Sequence, residues 1–187
     1  MQSTLDRFWR VLKSADVVCS PEQTTAAVHR LAGEITQRLA SSFPLVLGVM
    51  GGGVVFTGQL LPLLHFPLEF DYIHVTRYRG TTQGGIIEWK VEPRRMLEGR
   101  AVLVLDDILD EGHTLAAIRE RLLQAGASAF YSAVFADKDI GRLKPITADF
   151  VGIRVPNRYV FGFGMDVYGA WRNLPAVYAL NENEAMQ

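Results

Sequence analysis

Ala101 to Leu105 is an unbroken apolar run, Ala-Val-Leu-Val-Leu, that passes directly into Asp106 and Asp107. A strand that is apolar at every position is covered on both faces, the condition of a parallel strand inside an α/β sheet. The rest of the chain keeps that alternation. Apolar periodicity predicts helices over Thr4–Ala15, Pro21–Ala40, Val54–Leu64 and Thr114–Gln124, the last ended by Gly126. Strands are predicted at Leu45–Val49, Leu68–Thr76, Phe130–Ala136, Phe150–Val155 and Ala176–Leu180, with Ile86–Val91 as one arm of a flexible hairpin. The second helix has its own start signals: Ser20 as N-cap, Pro21 at the first position and Gln23 to close a capping box. The expected fold class is α/β, a mainly parallel central sheet flanked by helices. In such sheets ligands bind at the carboxyl ends of the strands.

The remaining bulk properties exclude more than they specify. The 187 residues suit one domain, 1–187, with no internal repeat, low-complexity tract or linker. Nineteen basic against twenty acidic side chains leave a net charge of −1, without the concentrated basic face that nucleic-acid binding requires. The single Cys19 cannot form an intramolecular disulfide, which favours a reducing compartment. The first residues lack the apolar core of a signal peptide, and Phe43 to Phe56 is too short and glycine-rich to span a bilayer. A cytoplasmic location with no membrane partner is expected.

The chemistry concentrates where the buried strand ends. After Asp106 and Asp107, a turn with Asp110, Glu111, Gly112, His113 and Thr114 opens a helix. A helix N-terminus offers unpaired N–H groups and a partial positive charge, and Gly112 permits close backbone approach, which suits a phosphate. Four carboxylates crowd the same six residues, Asp106 to Glu111, and would repel it. Two resolutions remain open: a hydrated Mg²⁺ bridging oxygen ligands, or carboxylates accepting hydrogen bonds from sugar hydroxyls. A ligand with a phosphate, a diol and a metal-bound pyrophosphate, such as 5-phosphoribosyl pyrophosphate, satisfies all of these at once. A second candidate is Met50-Gly51-Gly52-Gly53, glycines between a strand and a helix that let the backbone cradle a pyrophosphate. No histidine pair has metal-ligand spacing, so a zinc site is not expected.

Val104 to Leu115, VLDDILDEGHTL, resembles the phosphoribosyl-pyrophosphate signature of the type I phosphoribosyltransferases. The resemblance covers roughly Leu45 to Leu180, with details similar to the hypoxanthine-guanine branch. It implies a fold with a flexible hairpin lid and a small hood. It implies purine salvage: transfer of 5-phosphoribosyl to a 6-oxopurine, hypoxanthine or guanine, giving the nucleoside monophosphate and pyrophosphate. Asp106 and Asp107 would hold the ribose hydroxyls directly or through Mg²⁺, and Asp110 would be the general base at purine N7. Glu111, Gly112, His113 and Thr114 would cradle the 5′-phosphate. Met50, Gly51, Gly52 and Arg172 would bind pyrophosphate, with a cis peptide at Met50–Gly51, and Asp166 would hold a second Mg²⁺. Lys138 would donate to the purine O6, Tyr159 would cover the purine face, and the Val160 backbone would read the base edge. Arg77 and Tyr78 would open the lid. The resemblance also implies a homodimer or homotetramer.

Four positions depart from the family pattern. Gly51 stands where Lys or Arg is common, Arg77 replaces a serine, His113 a frequent lysine, and Glu111 puts an acid in a phosphate turn, from which it is expected to point away. Two other readings share the motif: a transferase for xanthine, orotate or a pyrimidine, and a regulator that senses phosphoribosyl pyrophosphate. A dinucleotide-binding Rossmann reading fails, because the glycines lack GxGxxG spacing.

Overall fold

The computed structural model describes residues 2–77 and 87–181. In chain order the elements are α1 (Gln2–Ser14), β1 (Asp16–Cys19), α2 (Pro21–Leu39), β2 (Leu45–Met50) and α3 (Val54–Leu60). A 3₁₀ turn (Leu61–Leu63), β3 (Glu69–Arg77), β4 (Ile87–Val91), β5 (Ala101–Leu109) and α4 (His113–Gln124) follow. The chain closes with β6 (Ala129–Lys138), β7 (Phe150–Val155), β8 (Val160–Phe161) and β9 (Val177–Ala179). A six-stranded sheet runs β4-β3-β2-β5-β6-β7, and a three-stranded one runs β1-β9-β8. In the large sheet only β3 and β4 pair antiparallel.

The two-faced burial expected of the apolar run is what the packing shows. Leu103 and Leu105 enter one core layer with Leu31 and Ile35 of α2 and Phe56 of α3. Val102 and Val104 enter the opposite layer with Leu115, Ile118 and Leu122 of α4. All four strand side chains are fully buried. At the start of α2, the Gln23 N–H donates to Ser20 Oγ at 3.3 Å and the Ser20 N–H to Gln23 Oε1 at 2.8 Å, the reciprocal cap the sequence called for.

Several boundaries differ from expectation for identifiable reasons. The helix expected over Val54–Leu64 stops at Leu60 and tightens into the 3₁₀ turn, because Pro62 has no N–H to continue an α-helical ladder. β5 continues past Leu105 to Leu109, carrying Asp106 and Asp107 inside the strand, because its pairing with β6 runs to Leu109 opposite Asp137. Lys138 is therefore the last residue of β6 rather than a residue beyond it. In α1, Leu5 and Trp9 stay exposed, while Val11 packs with Phe161, Val167 and Leu180. β1 has no counterpart among the expected elements, since four residues form a strand here only by pairing with β9. No helix among the described residues is long and apolar enough to cross a membrane.

The small sheet is the hood, and a tilted aromatic contact just after β8 fixes it to the large one. Phe163, fully buried, lies 4.1 Å from Phe135 of β6 between ring centroids. Next to it, Gly164 has φ +101 and sits so close to the Gly52 carbonyl that an added Cβ would lie 2.1 Å from that oxygen. The hood thereby rests directly on the glycine loop after β2.

Candidate active site

A cleft of about 860 Å³ opens at the carboxyl ends of β2, β3, β5 and β6. Its lining includes Met50, Gly52, Asp106, Asp107, every residue from Asp110 to Thr114, and Lys138. The location follows from the sheet: parallel strands deliver their carboxyl ends to one edge, where the following turns converge.

α4 begins at His113, one residue earlier than expected, and Gly112 occupies its N-cap with φ +85. Gly112 has no side chain to cap this helix start. A left-handed glycine there turns the chain sharply and leaves the first N–H groups facing the cleft, a geometry made for an anion. Glu111 does not spoil it. Its carboxylate is engaged by the Arg142 guanidinium at 2.9 Å, which offsets the charge beside the turn.

On the glycine loop, the Met50–Gly51 peptide bond is cis. Gly52 lies against Asp107 so tightly that a Cβ there would meet the carboxylate oxygen at 1.8 Å. Only glycine lets the acid lie across this loop. Gly51, by contrast, has nothing within 4 Å of an added Cβ, so a side chain at this position would have room.

Asp106 and Asp107 form the acidic floor. Burial and the neighbouring Asp107 charge push the Asp106 carboxyl well above the usual range. Burial raises Asp107 too, opposed by hydrogen bonds from Asp106 and the Ile108 N–H and by the positive field of Arg172. An acid whose folded pKa lies above its unfolded value favours folding most when protonated. That advantage is lost as the pH rises through the ordinary carboxylate range toward the raised value. The uncharged isostere Asp106→Asn should therefore stabilise the ligand-free protein at pH 7, by about 0.5–2 kcal/mol, or roughly 2–4 °C per kcal/mol. The gain should shrink below about pH 4, where the wild-type acid is neutral in both states. Thermal melts at the two pH values measure it; a destabilised pH 7 variant would contradict the charge assignment.

Across the cleft, Lys138 Nζ donates to Asp110 Oδ2 at 2.8 Å, with the lysine 12% exposed and the aspartate 47%. The two residues assigned to the purine thus face each other, 28 positions apart in sequence. Tyr159, Val160, Asp166 and Arg172 lie off this cleft lining, on the hood. Tyr159 is half-exposed and its hydroxyl donates to the Asp166 carbonyl at 3.0 Å. Val160 is buried and pairs with Ala179. Arg172 ion-pairs with Asp166 and donates to the Gly164 carbonyl at 2.7 Å, and the Gly169 N–H donates to Asp166 Oδ2 at 2.8 Å. Asp166 and Arg172, expected to meet metal and pyrophosphate separately, here hold each other. Arg77 is the last residue of β3, its side chain outside the described residues, and Tyr78 lies outside them altogether.

For Mg²⁺, the donor chemistry fits. Two adjacent carboxylates on the cleft floor are hard oxygen ligands whose charged forms burial disfavours, so a cation between them would be stabilising. No group of three or more His, Cys, Asp or Glu converges as a metal cage among the described residues. A pair of carboxylates completed by water and substrate oxygens is how Mg²⁺ is usually held.

Sequence reasoning missed Lys144 and Gly164. Lys144 Nζ donates to the Leu109 carbonyl at 2.7 Å and to Asp137 Oδ1 at 2.6 Å. Nothing local marks it, since Leu-Lys-Pro reads as a solvated loop. Gly164 had a signal in the Gly-Phe-Gly run, but a partner 112 positions away is invisible to periodicity.

Comparison with known proteins shows the family. The family model described as the phosphoribosyl transferase domain matches residues 20–168. The chain is 32% identical over 167 residues to a hypoxanthine-guanine phosphoribosyltransferase of Streptococcus pneumoniae, covering 89% of this chain and 93% of that one. It is 33% identical over 180 residues to the hypoxanthine-guanine-xanthine phosphoribosyltransferase of Tritrichomonas foetus, covering 96% and 95%. Among solved structures, a hypoxanthine phosphoribosyltransferase from Staphylococcus aureus superposes with a TM-score of 0.84 at 26% identity, over 90% and 92% of the two chains. With that motif on that sheet and a family match over most of its length, the chain belongs to the phosphoribosyl transferase family.

Proposed function

We infer that the protein is a hypoxanthine-guanine phosphoribosyltransferase, a purine salvage enzyme that uses phosphoribosyl pyrophosphate. The Lys138–Asp110 pair carries the reading of the base. A 6-oxopurine presents an acceptor, O6, beside an N7–H donor. An ammonium and a carboxylate 2.8 Å apart are the matching donor and acceptor, so a purine edge can replace the ion pair with two hydrogen bonds. The 6-amino group of adenine would meet a donor-only ammonium and be disfavoured.

In the mechanism, purine N9 bonds to ribose C1 as the C1–oxygen bond to pyrophosphate breaks, and Asp110 accepts the N7 proton. The N–H groups of residues 112–114 hold the 5′-phosphate, and the loop at Met50 to Gly52 holds pyrophosphate. Arg172, freed from Asp166, reaches pyrophosphate oxygens, while Tyr159 and the Val160 backbone contact the base. Arg77 and Tyr78 would help to exclude water from the reacting centre. Asp106 and Asp107, with Asp166 for a second ion, would hold Mg²⁺, which when bound neutralises the pyrophosphate oxygens. The packing of Phe163 on Phe135 supports treating the chain as one unit. We place it in the cytoplasm, where a lone buried Cys19 stays reduced. We also propose a homodimer or homotetramer, for which exposed Phe43, Val54 and Phe70 provide apolar surface.

The test is transfer to hypoxanthine, guanine, xanthine, adenine and uracil by wild type and Lys138→Met. The wild type should use 6-oxopurines and reject adenine and uracil. A charged hydrogen bond is worth about 1.5–3 kcal/mol, so the variant should lose roughly 10–10²-fold in kcat/KM for hypoxanthine. Preference for adenine would overturn the role of Lys138.

A further inference from the structure

We propose that Lys144 is a positioning residue: it ties together, from behind, the two strand ends that present Asp110 and Lys138. The proposal rests on the transferase reading above. Leu109 and Asp137 are register partners at the end of the β5–β6 ladder. The Lys144 ammonium joins them, donating to the Leu109 carbonyl at 2.7 Å and to Asp137 Oδ1 at 2.6 Å. Each anchor immediately precedes one member of the purine-facing pair. Successive strand residues face opposite sides, so Asp137 and Lys138 point apart, and Lys144 holds the rear of the strand whose front carries Lys138.

Burial makes the bridge consequential. The Lys144 side chain is only 10% exposed and Asp137 27%. A buried ammonium survives where partners compensate it, and removing one partner leaves the other charge stranded. The same segment also lies on the phosphate turn: Lys144 Cβ and Pro145 Cδ sit 3.4 and 3.3 Å from where a Cβ on Gly112 would be. That contact uses the backbone end of the side chain and does not need the ammonium. Losing the charge alone should therefore let the strand ends drift and misplace the Asp110–Lys138 pair, while the phosphate turn keeps its packing. A purine must meet both groups at once, and small misplacements of such groups are costly.

Lys144→Met keeps the stem and removes the charge. In steady-state kinetics on the full chain, its kcat/KM for hypoxanthine should fall about 10–100-fold, with the KM for phosphoribosyl pyrophosphate within about two-fold of wild type. Lys144→Arg, which can still bridge, should recover most of the loss. Asp137→Asn, which keeps the side-chain shape, should give the same split with a smaller loss and tests the bridge even if Lys144→Met fails to fold. An unchanged hypoxanthine kcat/KM, a parallel loss for both substrates, or no recovery by arginine overturns the proposal. A wild-type enzyme without transfer activity overturns the functional reading and this proposal with it, whereas an active wild type with indifferent variants overturns this proposal alone.

Discussion

Asp110→Asn is expected to lower turnover by about 10²–10⁴ while leaving the affinity for phosphoribosyl pyrophosphate within a few-fold of wild type. Asn retains the shape and one acceptor oxygen but cannot take a proton, so the purine still docks and its N7 proton has no destination. The sugar phosphate is little affected, because its proposed partners are Asp106, Asp107 and the start of α4. Nor should the fold suffer. The ion pair from Asp110 to Lys138 leaves the aspartate 47% exposed, and pairs that open to solvent contribute little stability. Single-turnover rates and a ligand titration separate the two effects. Unchanged turnover would remove Asp110 from the chemistry, and a matching loss of sugar-phosphate affinity would reassign it to binding.

Gly52→Ala is expected to be nearly as damaging by a route that involves no reacting group. A methyl at this position would lie 1.8 Å from Asp107 Oδ2 and 2.4 Å from its carboxyl carbon, so the acid must leave its place. The far end of a side chain can rotate away, and Gly52 is not among the glycines with positive φ, so the strand and loop should survive. Asp107 would then be swung off the cleft floor, and with it one of the two carboxylates assigned to the ribose and Mg²⁺. Catalysis should fall by at least about 10², from displacement alone. A melting temperature close to wild type with activity lost is the expected combination. Wild-type activity would mean that the position of Asp107 is unimportant.

The part of the site that was legible in the sequence is the part that is contiguous. Asp106 to Thr114 form one strand end, one turn and one helix start, so spacing alone places their groups around a common point. Their departures from expectation are small: β5 runs on to Leu109 because β6 continues to pair with it, and α4 starts at His113. The same holds for α2, whose cap is written within four residues. What could not be read depends on separation. The contact between Gly164 and Gly52 joins segments 112 positions apart, and Lys144 anchors a carbonyl 35 positions away. The engagement of Asp166 by Arg172 was hidden differently. Both residues were assigned to ligands, and opposite charges six positions apart also satisfy each other. β1 illustrates the limit for the fold, since its four residues are strand only because β9 supplies a ladder.

The central claim is that a sugar phosphate sits on the start of α4 with the acids of β5 beneath its ribose. A crystal structure with phosphoribosyl pyrophosphate and Mg²⁺ tests it most directly. The account predicts the 5′-phosphate on the N–H groups of residues 112–114, with the ribose hydroxyls over Asp106 and Asp107. A cleft in which that turn stays empty while the ligand binds elsewhere would contradict it.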